Sequence, residues 1–164
     1  MDIYEEILAT LEKQLEINVK LLELAKQKTQ VLKDNDTPEL MELSQSEERL
    51  VRAAIDAEKQ RGKLVAKLNW GKDKLENIVE RSANVSEDLS RKIQTTGEQL
   101  KAILGELELI NSLNNKILGF VLEQIEFTKN ILLSDDSPTT YKKDKGNYAS
   151  EARRLDKKLF EDKF

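Results

Sequence analysis

Between Ser86 and Leu133 the chain runs without a proline and carries apolar residues around more of a helix circumference than one neighbouring helix can cover. Each residue of an α-helix turns by about 100°. One stripe, Ile103, Leu107, Ile110, Asn114, Ile117, Val121, Gln124, Thr128 and Ile131, has the alternating four-and-three spacing of a bundle seam. Leu109, Leu113, Phe120 and Phe127 lie to one side of it, and Leu104, Leu118, Leu122, Ile125 and Leu132 to the other. The apolar arc is therefore roughly 220° wide, against the ~100° of a simple surface helix. Such a helix has to be buried against others, and the surplus predicts a partner.

A length of 164 residues suits one domain whose helices pair along their lengths. Two prolines, six scattered glycines and no regular apolar/polar alternation leave out the punctuation of a multi-stranded β protein, so the fold expected is all-α. There is no cysteine, which excludes a disulfide framework and a thiolate metal site and suits a reducing compartment. No apolar run approaches the ~18 residues of a membrane span. The start, MDIYEEILATLEK, lacks the basic and apolar segments of a signal peptide, and a cytoplasmic protein is expected.

A net charge of -4 with interspersed signs argues against nucleic acid as a ligand, because phosphate binding calls for clustered Lys and Arg. The chain has no histidine, which removes the commonest general base and forbids Ser-His-Asp and Cys-His triads. Neighbouring carboxylates such as Glu5 and Glu6, or Glu47 and Glu48, point about 100° apart on a helix and are expected to be plain surface. Nor is there a Gly-rich phosphate loop. No catalytic residue, metal site or cofactor is expected, and the protein is expected not to be an enzyme.

The first helix is expected from about Asp2 to Lys33, on a seam of Tyr4, Leu8, Leu11, Leu15, Asn18, Leu22, Ala25, Thr29 and Leu32 widened by Ile3, Ile7, Ile17, Leu21, Leu24 and Val31. DNDTPEL then breaks it: Thr37 can cap the next helix, Pro38 fits its first turn and Glu39 favours the positive end of its dipole. The second helix is expected from Pro38 to about Trp70, on Leu40, Leu43, Leu50, Ala54, Ala57, Leu64 and Leu68, with a middle thinned by Glu47, Glu58 and Arg61. So short a connection predicts an antiparallel hairpin. After a capping Gly71 comes a short helix, Lys72 to about Arg81, then a loop from Ser82 to Val85. Ser86 starts the long last helix, which Thr95, Thr96 and Gly97 are expected to weaken or kink.

At 1.5 Å per residue the last helix spans roughly 70 Å and each hairpin helix roughly 50 Å, so about 20 Å should overhang. If the C-terminal end overhangs, Ile117–Leu133 is the exposed segment, and apolar patches of that kind mark interaction sites. Alternatively the wide stripe of helix one covers it, or a second copy does in a homodimer. Residues 134–164 lack helical periodicity at first and are expected to be a flexible tail. The end, SEARRLDKKLFEDKF, spaces Ala152, Leu155, Leu159 and Phe160 as a short amphipathic helix. Tyr141 and Tyr148 are aromatic groups that can anchor to a partner or pack back onto the bundle.

In order and local motif the chain resembles the flagellar export chaperones of the FlgN type. The resemblance covers Ile3 to Gly146. It rests on LLELAKQKTQVLKDND ending the first helix, PELMELSQSEERLV after it, a short helix, and a last helix containing LINSLNNKILGFVLEQIEFTKNILL, then a Tyr followed by a Gly, here Tyr141 and Gly146. Asn111, Asn114 and Asn115 before the apolar run are especially similar to the family's pattern. The thin core of helix two and the basic end after Gly146 depart from it.

The resemblance implies an elongated helical bundle acting as a cytoplasmic, non-enzymatic chaperone of the flagellar type III export pathway. It would bind hook-associated (hook-filament junction, FlgK/FlgL type) proteins before secretion and bring them to the export gate. The cargo-binding residues expected are Asn114, Ile117, Leu118, Phe120, Val121, Leu122, Ile125, Phe127 and Ile131, which would take up an amphipathic helix of the cargo. Tyr141 matches the position from which the family is thought to dock on the gate. Asn114 has two readings, a buried group fixing helix register or a hydrogen-bond donor to cargo. The competing function is a self-associating structural coiled-coil or adaptor protein, which would be dimeric where the chaperone is a monomer or homodimer open to cargo. Another is a membrane-surface protein using the basic tail, which Asp156, Glu161 and Asp162 disfavour, and no stable membrane insertion is expected.

Overall fold

The computed structural model describes residues 2–68 and 74–133. These form four helices, α1 (Ile3–Asp34), α2 (Thr37–Lys67), α3 (Leu75–Ser82) and α4 (Glu87–Leu133), and no strand among the described residues. The expected end of helix two at Trp70, the cap at Gly71, the start of the short helix at Lys72, and the whole tail with Tyr141 and Tyr148 lie outside the described residues.

The helix ends follow from local chemistry. Asp2 and Glu5 close a capping box on α1, the Asp2 carboxylate accepting from the Tyr4 N–H and Glu5 from the Asp2 N–H. Asn35 ends α1 in the left-handed conformation, φ 53°, which an Asn tolerates better than most residues. Asp36, rather than the expected Thr37, caps α2: its carboxylate accepts the Glu39 N–H at 3.1 Å, and Thr37 is already helical ahead of Pro38. The Ser86 hydroxyl accepts the Leu89 N–H at 3.3 Å and opens α4. Ser82, expected in a loop, is the last residue of α3; its hydroxyl and that of Ser90 both donate to the Val79 carbonyl, tying α3 to the start of α4.

α1 is the central helix, with the broadest contacts to α4 and the next broadest to α2, while α3 packs on α4. Lys28 meets Glu47 and Gln14 meets Glu58, so α2 runs antiparallel to α1. Thr29 meets Asn114 near the end of α1, whereas Tyr4, Ile7 and Leu11 share a core with Ile93, Leu100 and Leu104, so α4 runs parallel to α1. That lower core also takes Leu64 and Val65 from α2 and Ile78 from α3. A second core, Ile17, Leu21, Leu22, Ala25, Ala54, Ala57 and Leu107, lies higher in the bundle. The double stripe on α1 is explained by its two long neighbours.

Between the cores sits a polar layer. Gln14 Nε2 donates to Glu58 Oε2 at 2.5 Å, Arg61 donates to both Glu58 oxygens, and Asn18 donates to the Gln14 carbonyl. The residues that thin the middle of α2 are thus bridges to α1 or to each other. Glu47 departs from the plain surface expected of it, since it forms a partly buried ion pair with Lys28 at 2.8 Å.

Gly97 does not interrupt α4, which is continuous from Glu87 to Leu133. It is buried because Leu75 of α3 lies over it: a Cβ there would overlap the Leu75 Cδ2 methyl. Gly105 has open space where a Cβ would stand and is exposed. Gly97→Val should therefore cost about 1–3 kcal/mol through overpacking. Gly105→Ala should add about 0.5–1 kcal/mol through helix propensity. Thermal unfolding followed by circular dichroism distinguishes the two, with the melting temperature falling in the first and rising in the second.

Candidate functional site: the projecting end of the last helix

The seam of α4 changes character along its length. Leu107 and Asn114 are buried, Ile110, Ile117 and Val121 are half-buried, and Gln124, Thr128 and Ile131 are exposed. The cause is the register against α1. Asn114 is opposite Thr29, so Asp34, the end of α1, lies level with about Gly119 of α4. The hairpin turns back there, and the remaining part of α4, about fourteen residues, projects roughly 20 Å beyond it.

On this projection Leu118, Phe120, Leu122, Ile125, Phe127 and Ile131 are all exposed, Phe127 by 67 %, together with Leu132 and Leu133. Leu109 and Leu113 extend the exposed apolar surface down the flank of the bundle. Of the nine residues expected to meet cargo, these six are exposed, Ile117 and Val121 are half-buried at the edge of the seam, and Asn114 stands apart. Asn114 is only 4 % exposed: its Nδ2 donates to the Ala25 carbonyl at 2.9 Å, and the Thr29 hydroxyl donates to its Oδ1. Both ends of the amide are engaged by α1, which is the register reading. Helix one does not cover the projection, because it ends before it.

Sequence reasoning missed the buried Gln14 and Thr10 of α1, which lie between the two apolar stripes. A signal existed for Gln14: Glu58 and Arg61 interrupt the facing stripe of α2, and three polar interruptions at one level imply a shared layer.

Charge on the projection is sparse, with Lys116, Glu123, Glu126 and Lys129 along Ile117–Leu133 and its approach, and no basic residue in the last turn. The perturbed titratable groups lie elsewhere. A hydrogen bond and the charge of Lys92 hold Asp88 below the ordinary carboxylate value and raise Lys92 in turn, and Lys20 lowers Glu16 by the same means. Both are surface pairs one helical turn apart. The cavity beside the polar layer, lined by Gln14, Asn18, Ala54, Glu58, Arg61, Leu100 and Leu104, has room for about one water molecule, whereas a small-molecule site needs several hundred Å³. Among the described residues no acidic cluster could hold a metal ion, and no helix is long and apolar enough to cross a membrane. What the geometry offers is an apolar helix surface for another polypeptide.

The family model for the FlgN protein matches residues 1–149. The chain belongs to the FlgN family. The match runs through all four helices and includes the whole projection. It makes the protein a flagellar export chaperone, of a family with no known enzymatic activity. Comparison with curated proteins and with solved structures gives no match.

Burial separates the two kinds of residue on α4 in a measurable way. Asn114→Ala removes both hydrogen bonds that the buried amide makes to α1 and should lower stability by about 1–3 kcal/mol. Phe127→Ser, on the exposed side, should change it by no more than about 0.5 kcal/mol. Urea unfolding of the two variants beside the parent chain checks both.

Proposed function

We propose that this FlgN-family protein is a cytoplasmic chaperone that holds hook-associated proteins through the projecting end of α4, keeps them from premature assembly and brings them to the export gate. The observation that supports it is the exposure of Leu118, Phe120, Leu122, Ile125, Phe127 and Ile131 along one continuous helix, past the point where the hairpin ends. Junction proteins carry amphipathic terminal helices, and an apolar helix face recognises such a segment by laying it alongside, with anchors one or two turns apart. Half-buried Ile117 and Val121 would complete the contact at its lower edge.

The seam residue Asn114 acts in this reading as a positioning group, setting how far α4 projects. Tyr141, eight residues beyond Leu133 in the sequence, is the gate-docking residue of the proposal and lies outside the segment assigned to cargo.

Titration calorimetry with a purified hook-associated protein tests the cargo half. The parent chain should bind one to one, and the Phe120→Asp, Ile125→Asp double variant should lose affinity by at least about a hundredfold, since each deeply buried apolar anchor contributes about 1.5–3 kcal/mol. Its helicity by circular dichroism should be unchanged. Equal affinity in the two chains would sink the assignment of cargo to this face. Tyr141→Ala should keep cargo binding and lose capture by the gate's cytoplasmic domain.

A further inference from the structure

We propose that the C-terminal segment Ser150–Phe164 docks in cis on the exposed apolar end of α4, Leu118–Leu133, and keeps that surface covered in the cargo-free chain. The docking is argued from the exposed face of α4 and the sequence of the segment; its regulatory meaning rests on the chaperone reading above.

Several independent features favour this occupant. The apolar surface is at the very end of α4, and the chain continues directly from it. The family match stops at residue 149, so the last segment is additional to what the family model describes. That segment places Ala152, Leu155 and Leu159 at three-and-four spacing with Phe160 beside them, and Ser150 followed by Glu151 is a good helix start. As a helix Ser150–Phe164 would be about 22 Å long, and Leu118–Leu133 spans about the same. The two surfaces therefore match in length as well as in chemistry.

Charge agrees. The last turn of α4 carries no basic residue and is the negative end of the helix dipole, while Arg153, Arg154, Lys157 and Lys158, with Asp156 among them, stand between the apolar positions of the segment. Reach agrees too. Sixteen residues separate Leu133 from Ser150, and a coil of that length would span about 22 Å, enough to lay the segment along α4 in either direction. A tether of this length gives an effective concentration on the order of millimolar. A second copy at micromolar concentration competes poorly against that.

The experiment is hydrogen exchange by mass spectrometry on the full chain and on a Leu155→Ser, Leu159→Ser variant, whose changes lie outside the bundle. Docking predicts that peptides covering 118–133 exchange about tenfold faster in the variant, that α1 is unaffected, and that the parent's protection does not change on dilution. Identical exchange in the two chains would overturn the proposal. So would protection that disappears on dilution together with a dimer mass by light scattering, because the occupant would then be a second copy. The readout needs no cargo, so it is separable from the chaperone reading. A helix from a junction protein should then bind the variant about tenfold more tightly than the parent, matching the exchange ratio. If that helix bound neither chain while the exchange result held, the functional reading would fail and the docking would stand.

Discussion

The parallel pairing of α1 with α4 decides where everything else lies. Its apolar contacts, from Tyr4 and Ile93 at one end to Ala25 and Ile110 at the other, would tolerate a slide of one turn, because Leu, Ile and Ala seams are nearly periodic. Asn114 removes that freedom. In register its amide joins the Ala25 carbonyl and the Thr29 hydroxyl, and one turn away the buried amide would lose both of these partners, at about 1–3 kcal/mol. The lock lies about five residues before the level at which α1 ends. A single buried amide thus fixes the length of α4 that projects.

The second pairing, α1 with α2, is built differently. Its buried residues on the α2 side are few, Ala54 and Ala57 in the middle with Leu43, Leu64 and Val65 towards the ends, and it is crossed by Lys28–Glu47 and by the Gln14–Glu58–Arg61 layer. Ion pairs that are partly solvated add little net stability. What they supply here is pairing specificity, since an antiparallel partner shifted by a turn would leave Gln14 and Glu58 without each other. The apolar contribution is concentrated at the lower end, where all four helices share one core.

Element type and order were legible in the sequence because the long helices carry their own apolar stripes and the second and last have start signals at Pro38 and Ser86. The antiparallel hairpin followed from the brevity of Asn35–Asp36. Three things were not legible. Thr37 and Asp36 are both capping residues, and only backbone geometry decides between them. Gly97 read as a weak point because propensity sees an isolated helix, whereas its reason for being glycine is Leu75, distant in sequence. The polar residues of α1 and α2 read as interruptions or surface because pairing between helices has no one-dimensional signature. For the site, the stripe width gave the surplus and helix lengths gave its magnitude. Which end projected depended on the register at Asn114, whose two amide atoms both face α1.

A helix of about fourteen residues would be marginal alone in water, because nucleating the first turn is costly. Here the projecting segment extends an α4 already held by α1 and α3, so its nucleus is formed elsewhere and only propagation is needed. The bundle is in that sense the means of keeping an otherwise unstable apolar helix ready-made. A partner that lies against it need not pay to order both sides, which raises affinity for a given contact area. The same exposure makes the face a liability, since contiguous apolar patches on a monomer rarely exceed a few hundred Å² without a dedicated occupant. Stability and function are therefore divided along one helix: residues up to Asn114 hold the fold, and residues from Leu118 onward are left for something else to cover.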